Sequence, residues 1–200
     1  MNYGDLKLFV LQKMFAVTGT TIVVNSSTTP YINSMPAVAN EALQLCSTAG
    51  KYIVKSVDIT QDGTDPGIVM KYDLKTLAPD IYSLGNNKVY FNDGEEYKPT
   101  NDYSIEGAFN FVVPSETIGT WTIYYNSYPT EITSATADNF VIDVDREIAV
   151  ILPLYMASQL YKDDDVSLAT QWRNEFESAF EKLVPSPTTP TVEFSVTWGW

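Results

Sequence analysis

Residues 121–128, Trp-Thr-Ile-Tyr-Tyr-Asn-Ser-Tyr, set Trp121, Ile123 and Tyr125 on one face of an extended segment and Thr122, Tyr124 and Asn126 on the other. An apolar/polar period of two is the pattern of a half-buried strand. Strand patterns extend upstream through Tyr52 to Ile59, Ile68 to Leu74, Asp80 to Leu84, Lys88 to Phe91 and Ala108 to Val113. Turn residues separate them at Asp62-Gly63, Pro66-Gly67, Gly85-Asn86-Asn87 and Asn92-Asp93-Gly94, which predicts a small antiparallel β unit.

Helical spacing flanks this unit on both sides. In the first segment Asn2 is a candidate cap, and Leu6, Phe9, Val10 and Met14 mark an apolar stripe. A β-branched, Ser/Thr-rich connection from Thr18 to Pro30 leads to a second helix, predicted to start near Asn33 or Ser34 with Pro36 in its first turn. That helix carries Ala39, Ala42, Leu43 and Cys46 and closes at Gly50. After the acidic run Asp143-Val-Asp-Arg-Glu147, the residues Ile148, Ile151, Leu152, Tyr155 and Leu160 form an apolar face, and Pro153 is expected to kink or break the helix. Asp163-Asp164-Asp165 then supplies a turn and a cap for a last helix from about Val166 to Leu183, with Leu168, Ala169, Trp172, Phe176, Ala179, Phe180 and Leu183 on one stripe.

The expected fold is therefore α+β. Residues 1–49 and 143–184 form a small helical body, residues 50–142 a β-rich antiparallel insertion, and residues 185–200 a Pro-rich linker with an extended terminal strand. In that strand Val192, Phe194, Val196, Trp198 and Trp200 alternate with Thr191, Glu193, Ser195, Thr197 and Gly199. The five apolar residues are candidate partner-interface residues. Pairing with a sheet of another subunit or partner, and pairing with the edge of the chain's own β unit, both satisfy the pattern. The stiff linker with Pro185, Pro187 and Pro190 favours the former.

Composition narrows the chemistry. The 200 residues are 44% hydrophobic and 18% charged, enough for an ordinary core. No stretch approaches the roughly 18 apolar residues of a membrane span, and the N-terminus lacks a signal-peptide pattern, so the chain is expected to stay where it is made. The count of zero histidines removes the commonest general base and metal ligand together. No Gly-rich phosphate loop, Cys-x-x-Cys or Gly-x-Ser-x-Gly occurs. The acids at 163–165 and in Asp62-Gly-Thr-Asp-Pro-Gly67 are explained by a helix cap and by tight turns rather than by a cation. The expectation is no enzyme, no catalytic residue, no metal and no cofactor. The lone Cys46 is expected as a small core residue.

Net charge is −13, with 13 acids and 6 bases in residues 51–142 and 9 acids and 4 bases in residues 143–184. Such a surface repels a phosphate backbone. The 13 tyrosines suit contact surfaces instead. One class this admits is a carbohydrate- or ligand-binding β module using Trp121, Tyr124, Tyr125 or Tyr128 as stacking platforms.

The order of elements admits a second class. A short helix opening Asn2-Tyr-Gly-Asp-Leu-Lys, a helix with Asn33-Ser-Met-Pro-Ala-Val-Ala-Asn-Glu-Ala42, and a β insertion ending in residues 121–132 precede a C-terminal helix pair. That pair contains Leu152-Pro-Leu-Tyr-Met-Ala-Ser-Gln-Leu-Tyr-Lys-Asp-Asp-Asp165 and Leu168-Ala-Thr-Gln-Trp-Arg-Asn-Glu-Phe-Glu177. The whole resembles the head-to-tail adaptor (neck, or head-completion) proteins of tailed bacteriophages, most sharply from Tyr124 to Phe180. The resemblance implies a structural virion protein of the neck, assembled in the host cytoplasm. It would dock on the portal protein, bind a downstream tail or neck protein, and form a homo-oligomeric ring, usually dodecameric. DNA would pass through that ring without sequence-specific binding, and no membrane would be involved.

Overall fold

The computed structural model describes residues 1–15, 19–64, 67–85 and 88–184. Along the chain run α1 (Tyr3–Phe15), α2 (Thr29–Thr48), β1 (Ile53–Asp62), β2 (Val69–Asp73), α3 (Leu74–Leu77), β3 (Ile81–Ser83), β4 (Val89–Asn92), β5 (Tyr97–Thr100), β6 (Ser104–Glu106), β7 (Asn110–Pro114), β8 (Ile118–Ser127), α4 (Arg146–Tyr161) and α5 (Val166–Leu183). The fold is α+β.

Local chemistry starts and stops the helices. Asn2 Oδ1 accepts from the Asp5 amide at 2.7 Å while Asp5 Oδ2 accepts from the Asn2 amide at 3.4 Å. This reciprocal pair satisfies two amides at the start of α1. Asp165 caps α5, its Oδ1 accepting from the Leu168 amide at 2.9 Å. Gly50, at φ 119°, turns the chain out of α2 while the Lys51 amide donates to the Cys46 carbonyl.

α2 starts at Thr29, earlier than its sequence predicts, with Pro30 in its first turn and Pro36 inside it. Asn25 is the reason. Its side-chain oxygen accepts from the amides of Ser27 and Thr28, and its carbonyl accepts from Thr29, so the first turn is nucleated upstream. Pro36 then forfeits only its own bond to the Ile32 carbonyl. Pro153 likewise fails to break α4, which continues to Tyr161. Its neighbours Ile148, Ile151, Leu152, Tyr155 and Met156 are all buried, and their packing outweighs one missing ladder bond.

One hydrophobic core gathers Leu6, Val10 and Met14 of α1, Met35, Ala39 and Leu43 of α2, Leu152, Tyr155 and Met156 of α4, and Trp172 and Phe176 of α5. Cys46 lies fully buried within it.

A second core lies between two antiparallel sheets. The larger has the order β1-β8-β4-β5, with β3 also pairing β8; the smaller has the order β2-β7-β6. β1 and β8 pair without interruption from Ile53↔Ser127 to Asp62↔Ile118. Ile59, Trp121, Ile123 and Tyr125 from the larger sheet meet Phe111 and Val113 from the smaller, with Leu74 of α3 beside them. β8 is entered through Gly119 at φ 148°, where an added Cβ would lie 2.4 Å from the Asn92 carbonyl oxygen. Only glycine lets the two backbones approach that closely.

β5, β6 and α3 have no counterpart in the sequence patterns. β5 is exposed at three of its four positions and contains Pro99. It exists because the Asn92–Gly94 turn folds it onto β4: Asn92 Oδ1 accepts from the Gly94 amide, and Asp93 Oδ1 accepts from the amides of Glu95 and Glu96.

Long-range hydrogen bonds to the backbone hold the connections between sheets and helices. The Asn40 amide donates to the Ile132 carbonyl, and its oxygen accepts from the Ile132 amide, both at 2.8 Å. The Tyr82 hydroxyl donates to the Ser47 carbonyl at 3.0 Å. These bonds fix where the chain leaves β8 and returns to α4.

Candidate partner interface

The terminal residues Val192, Phe194, Val196, Trp198 and Trp200 lie outside the described residues, as does the linker before them. Among the described residues an open groove of about 670 Å³ runs between α1 and the first half of α4. Phe9, Ala149, Val150 and Pro153 line it together with Asp5, Lys13 and Arg146. Phe9 is 44% exposed and Val150 69%.

Phe9 is therefore a correction to the expected α1 stripe. Leu6, Val10 and Met14 fill the core, and the ring between them has no room inside. Val150 sits outside the apolar face read from the sequence and stands in solvent because α4 is buried on its remaining sides. Exposed apolar side chains beside charges of both signs suit a protein-binding surface. The only advance signal was an α4 segment apolar on more than one face.

The sheet carries a second aromatic surface. Tyr90 of β4 and Tyr97 of β5 stack at 5.0 Å and 9°, and Tyr124 of β8 meets Tyr90 edge-on at 5.8 Å. Of the four rings considered as platforms for sugar, Trp121 is 2% exposed and Tyr125 5%. Trp121 packs on Phe91 at 4.5 Å and donates Nε1–H to Gln61. Neither offers a free ring face. Tyr128 is exposed but leans on Tyr82 at 5.1 Å.

The acids resolve into structural roles. Asp165 is the cap described above, and Asp164 accepts from the Tyr31 hydroxyl at 2.7 Å. Asp62 accepts from the Thr64 amide and hydroxyl in a tight turn. No group of three or more metal-ligating residues gathers among the described residues. No helix there is long and apolar enough to cross a membrane. Burial pushes the Cys46 thiol up to about 12, which makes it a poor nucleophile. Tyr155 is also pushed up to about 12, first by burial and then by donating to Glu41 Oε1 at 2.5 Å.

Asp80 joins three strands. Lys55 of β1 donates to it at 2.7 Å and Tyr125 of β8 at 3.0 Å, just before β3 begins. Burial raises its pKa, but the two hydrogen bonds and the Lys55 charge outweigh that and hold it below the ordinary carboxylate value. A folded-state pKa below the unfolded value of about 3.9 contributes stability that is present above pH 4 and is lost as pH falls through the folded value. Between pH 6 and pH 3 the urea midpoint of the parent should fall further than that of Asp80→Asn. Equal falls would remove Asp80 from the acid response.

No protein-family model matches the chain, and no curated protein matches it.

Proposed function

We propose that the chain is a structural virion protein, a ring-forming head-to-tail adaptor that docks on a portal and extends the DNA channel toward the tail. The observation that carries this reading is the helical core. α1 and α2 from the start of the chain close on α4 and α5 from its end, with both sheets inserted between them. That is the element order on which the resemblance to neck proteins rests. The α1/α4 groove supplies a surface suited to a protein neighbour, and the net charge of −13 suits a wall past which DNA must slide. An acidic lining releases no counterions from DNA and so does not hold it.

In this reading the protein works by binding alone, in the virion neck, with a portal above it and a tail or neck protein below. Head-to-tail contacts close a ring only when the rotation between copies is set correctly. The isolated chain should therefore sediment as a monomer or weakly associated species, and as a closed ring, expected to be dodecameric, when mixed with portal. Deleting residues 186–200 should leave the thermal midpoint nearly unchanged and abolish incorporation into particles. A stable twofold dimer indifferent to portal, or saturable turnover of a glycan, peptide or nucleotide by pure protein, would defeat the proposal.

A further inference from the structure

Lys7, Lys51, Lys55, Lys71, Lys98 and Arg173 each hold a carboxylate. No ion pair among the described residues takes up Lys13 or Arg146, and both line the α1/α4 groove. The carboxylate that lines it with them, Asp5, already accepts from the Asn2 amide at the start of α1. The groove is thus locally cationic on a chain whose net charge is −13. Phe9 and Val150 stand exposed between these charges.

A surface of the opposite character lies at the far end of the β insertion. β1 starts at Ile53, close behind α2, and runs ten residues to Asp62, a rise of about 30 Å. There Ile118 opposes Asp62 in the β1–β8 register and abuts Gly63, while the Ser115 amide donates to the Ile68 carbonyl at 3.2 Å. This β tip gathers Ile68, 89% exposed, and Ile118, 65% exposed, beside the exposed acids Asp62 and Glu116. Lys71, the cation nearest to Ile68 in the sequence, is taken up by Glu106.

Apolar side chains would meet apolar side chains, and Asp62 and Glu116 would face Lys13 and Arg146. Such a match of sign steers association and fixes its register. Within one chain the two surfaces stay apart. No residue of the β insertion lines the groove, and the β1–β8 ladder, unbroken over ten pairs, holds the tip at its far end.

We propose that the β tip of one copy, with Ile68, Ile118, Asp62 and Glu116, seats in the α1/α4 groove of a second copy. The two patches differ, so each contact leaves one groove and one tip free, and copies add head to tail. A two-stranded tip in one groove is a small contact, of the class below about 1,200 Å² that forms transiently. This goes beyond the adaptor reading, which leaves the groove's neighbour unassigned, and it needs neither portal nor DNA.

Disulfide trapping of the full-length chain without portal tests the contact. Val150→Cys chains are mixed with Ile68→Cys chains under a mild oxidant. Both positions are more than two-thirds exposed, and Cys46 is buried and does not compete. Matching urea midpoints of variants and parent report an intact fold. The mixed disulfide should form about tenfold or more faster than between Val150→Cys and Val166→Cys, an equally exposed position on α5, because docking raises the local thiol concentration. Adding Lys13→Glu/Arg146→Glu to the groove chain should return the rate to that of the control, and Glu116→Lys on the tip chain should recover part of it. A mixed rate no faster than the control would overturn the proposal and leave the groove to another occupant. Faster pairing of Val150→Cys with itself would overturn it in favour of a twofold contact, and a rate indifferent to the charge reversals would also defeat it.

Discussion

Phe176→Ala should lower the free energy of unfolding by about 3–5 kcal/mol, the cost of truncating a fully buried phenylalanine in a site that cannot collapse. Phe176 is 1% exposed. Its ring meets Tyr155 of α4 edge-on at 5.1 Å and stacks on Phe180 at 5.6 Å, so the cavity would open between α4 and α5. Tyr155 is itself held by Glu41 of α2 and by the Arg173 guanidinium 4.8 Å from its ring centre, which restricts how far it can move to fill the space. Domains of this size hold about 5–15 kcal/mol in total. Urea titration should therefore show a markedly lower midpoint, and a variant as stable as the parent would show that this contact does not hold the helices together.

Trp121→Ala should cost at least as much, for two reasons that can be separated. Truncating the indole removes its contacts with Phe91 at 4.5 Å and Phe111 at 5.6 Å, worth about 3–5 kcal/mol at a fully buried site. It also strands Gln61 Oε1, which accepts from the indole Nε1–H at 2.7 Å in the interior, at a further cost of about 1–3 kcal/mol. Trp121→Phe restores most of the ring and none of the hydrogen bond, so it should lose only the smaller amount. Equal losses for the two variants in denaturant titrations would mean that the hydrogen bond, not the packing, dominates at this position.

What was legible in the sequence follows how local each signal is. α5 carries an N-cap aspartate, one clean apolar stripe and a stop, and the structure sets it at Val166–Leu183. β8 shows the alternation of Trp121, Ile123 and Tyr125, and all three are buried; Asn126, read onto the opposite face, is buried as well, as is Ser127. The start of α2 was misplaced because its nucleus is Asn25, four residues before the first helical residue, in a stretch with no helical period. β5 was invisible because its pairing partner supplies its order while its own residues remain in solvent.

The candidate interface was divided in the same way. Alternation from Val192 to Trp200 is a property of the chain itself. The α1/α4 groove is not, because Phe9 and Val150 become surface only once four helices have chosen which of their apolar residues to bury. The β tip is equally a product of strand register, which sets Ile118 opposite Asp62 and which no single strand encodes.

By itself, then, the sequence determined the four long helices, six of the strands, the caps at Asn2 and Asp165 and, from composition, the exclusion of histidine chemistry, since the elements and caps each depend on residues within a turn or two of one another. The tertiary structure alone decided that Pro153 could be carried inside α4, that Trp121 and Tyr125 would face a second sheet instead of solvent, and that β1 would end its sheet. Those outcomes turn on packing between segments far apart in the chain, as where Leu6 of α1 and Leu152 of α4 share one core, and there the energy of burial outweighs the local preference of any one residue.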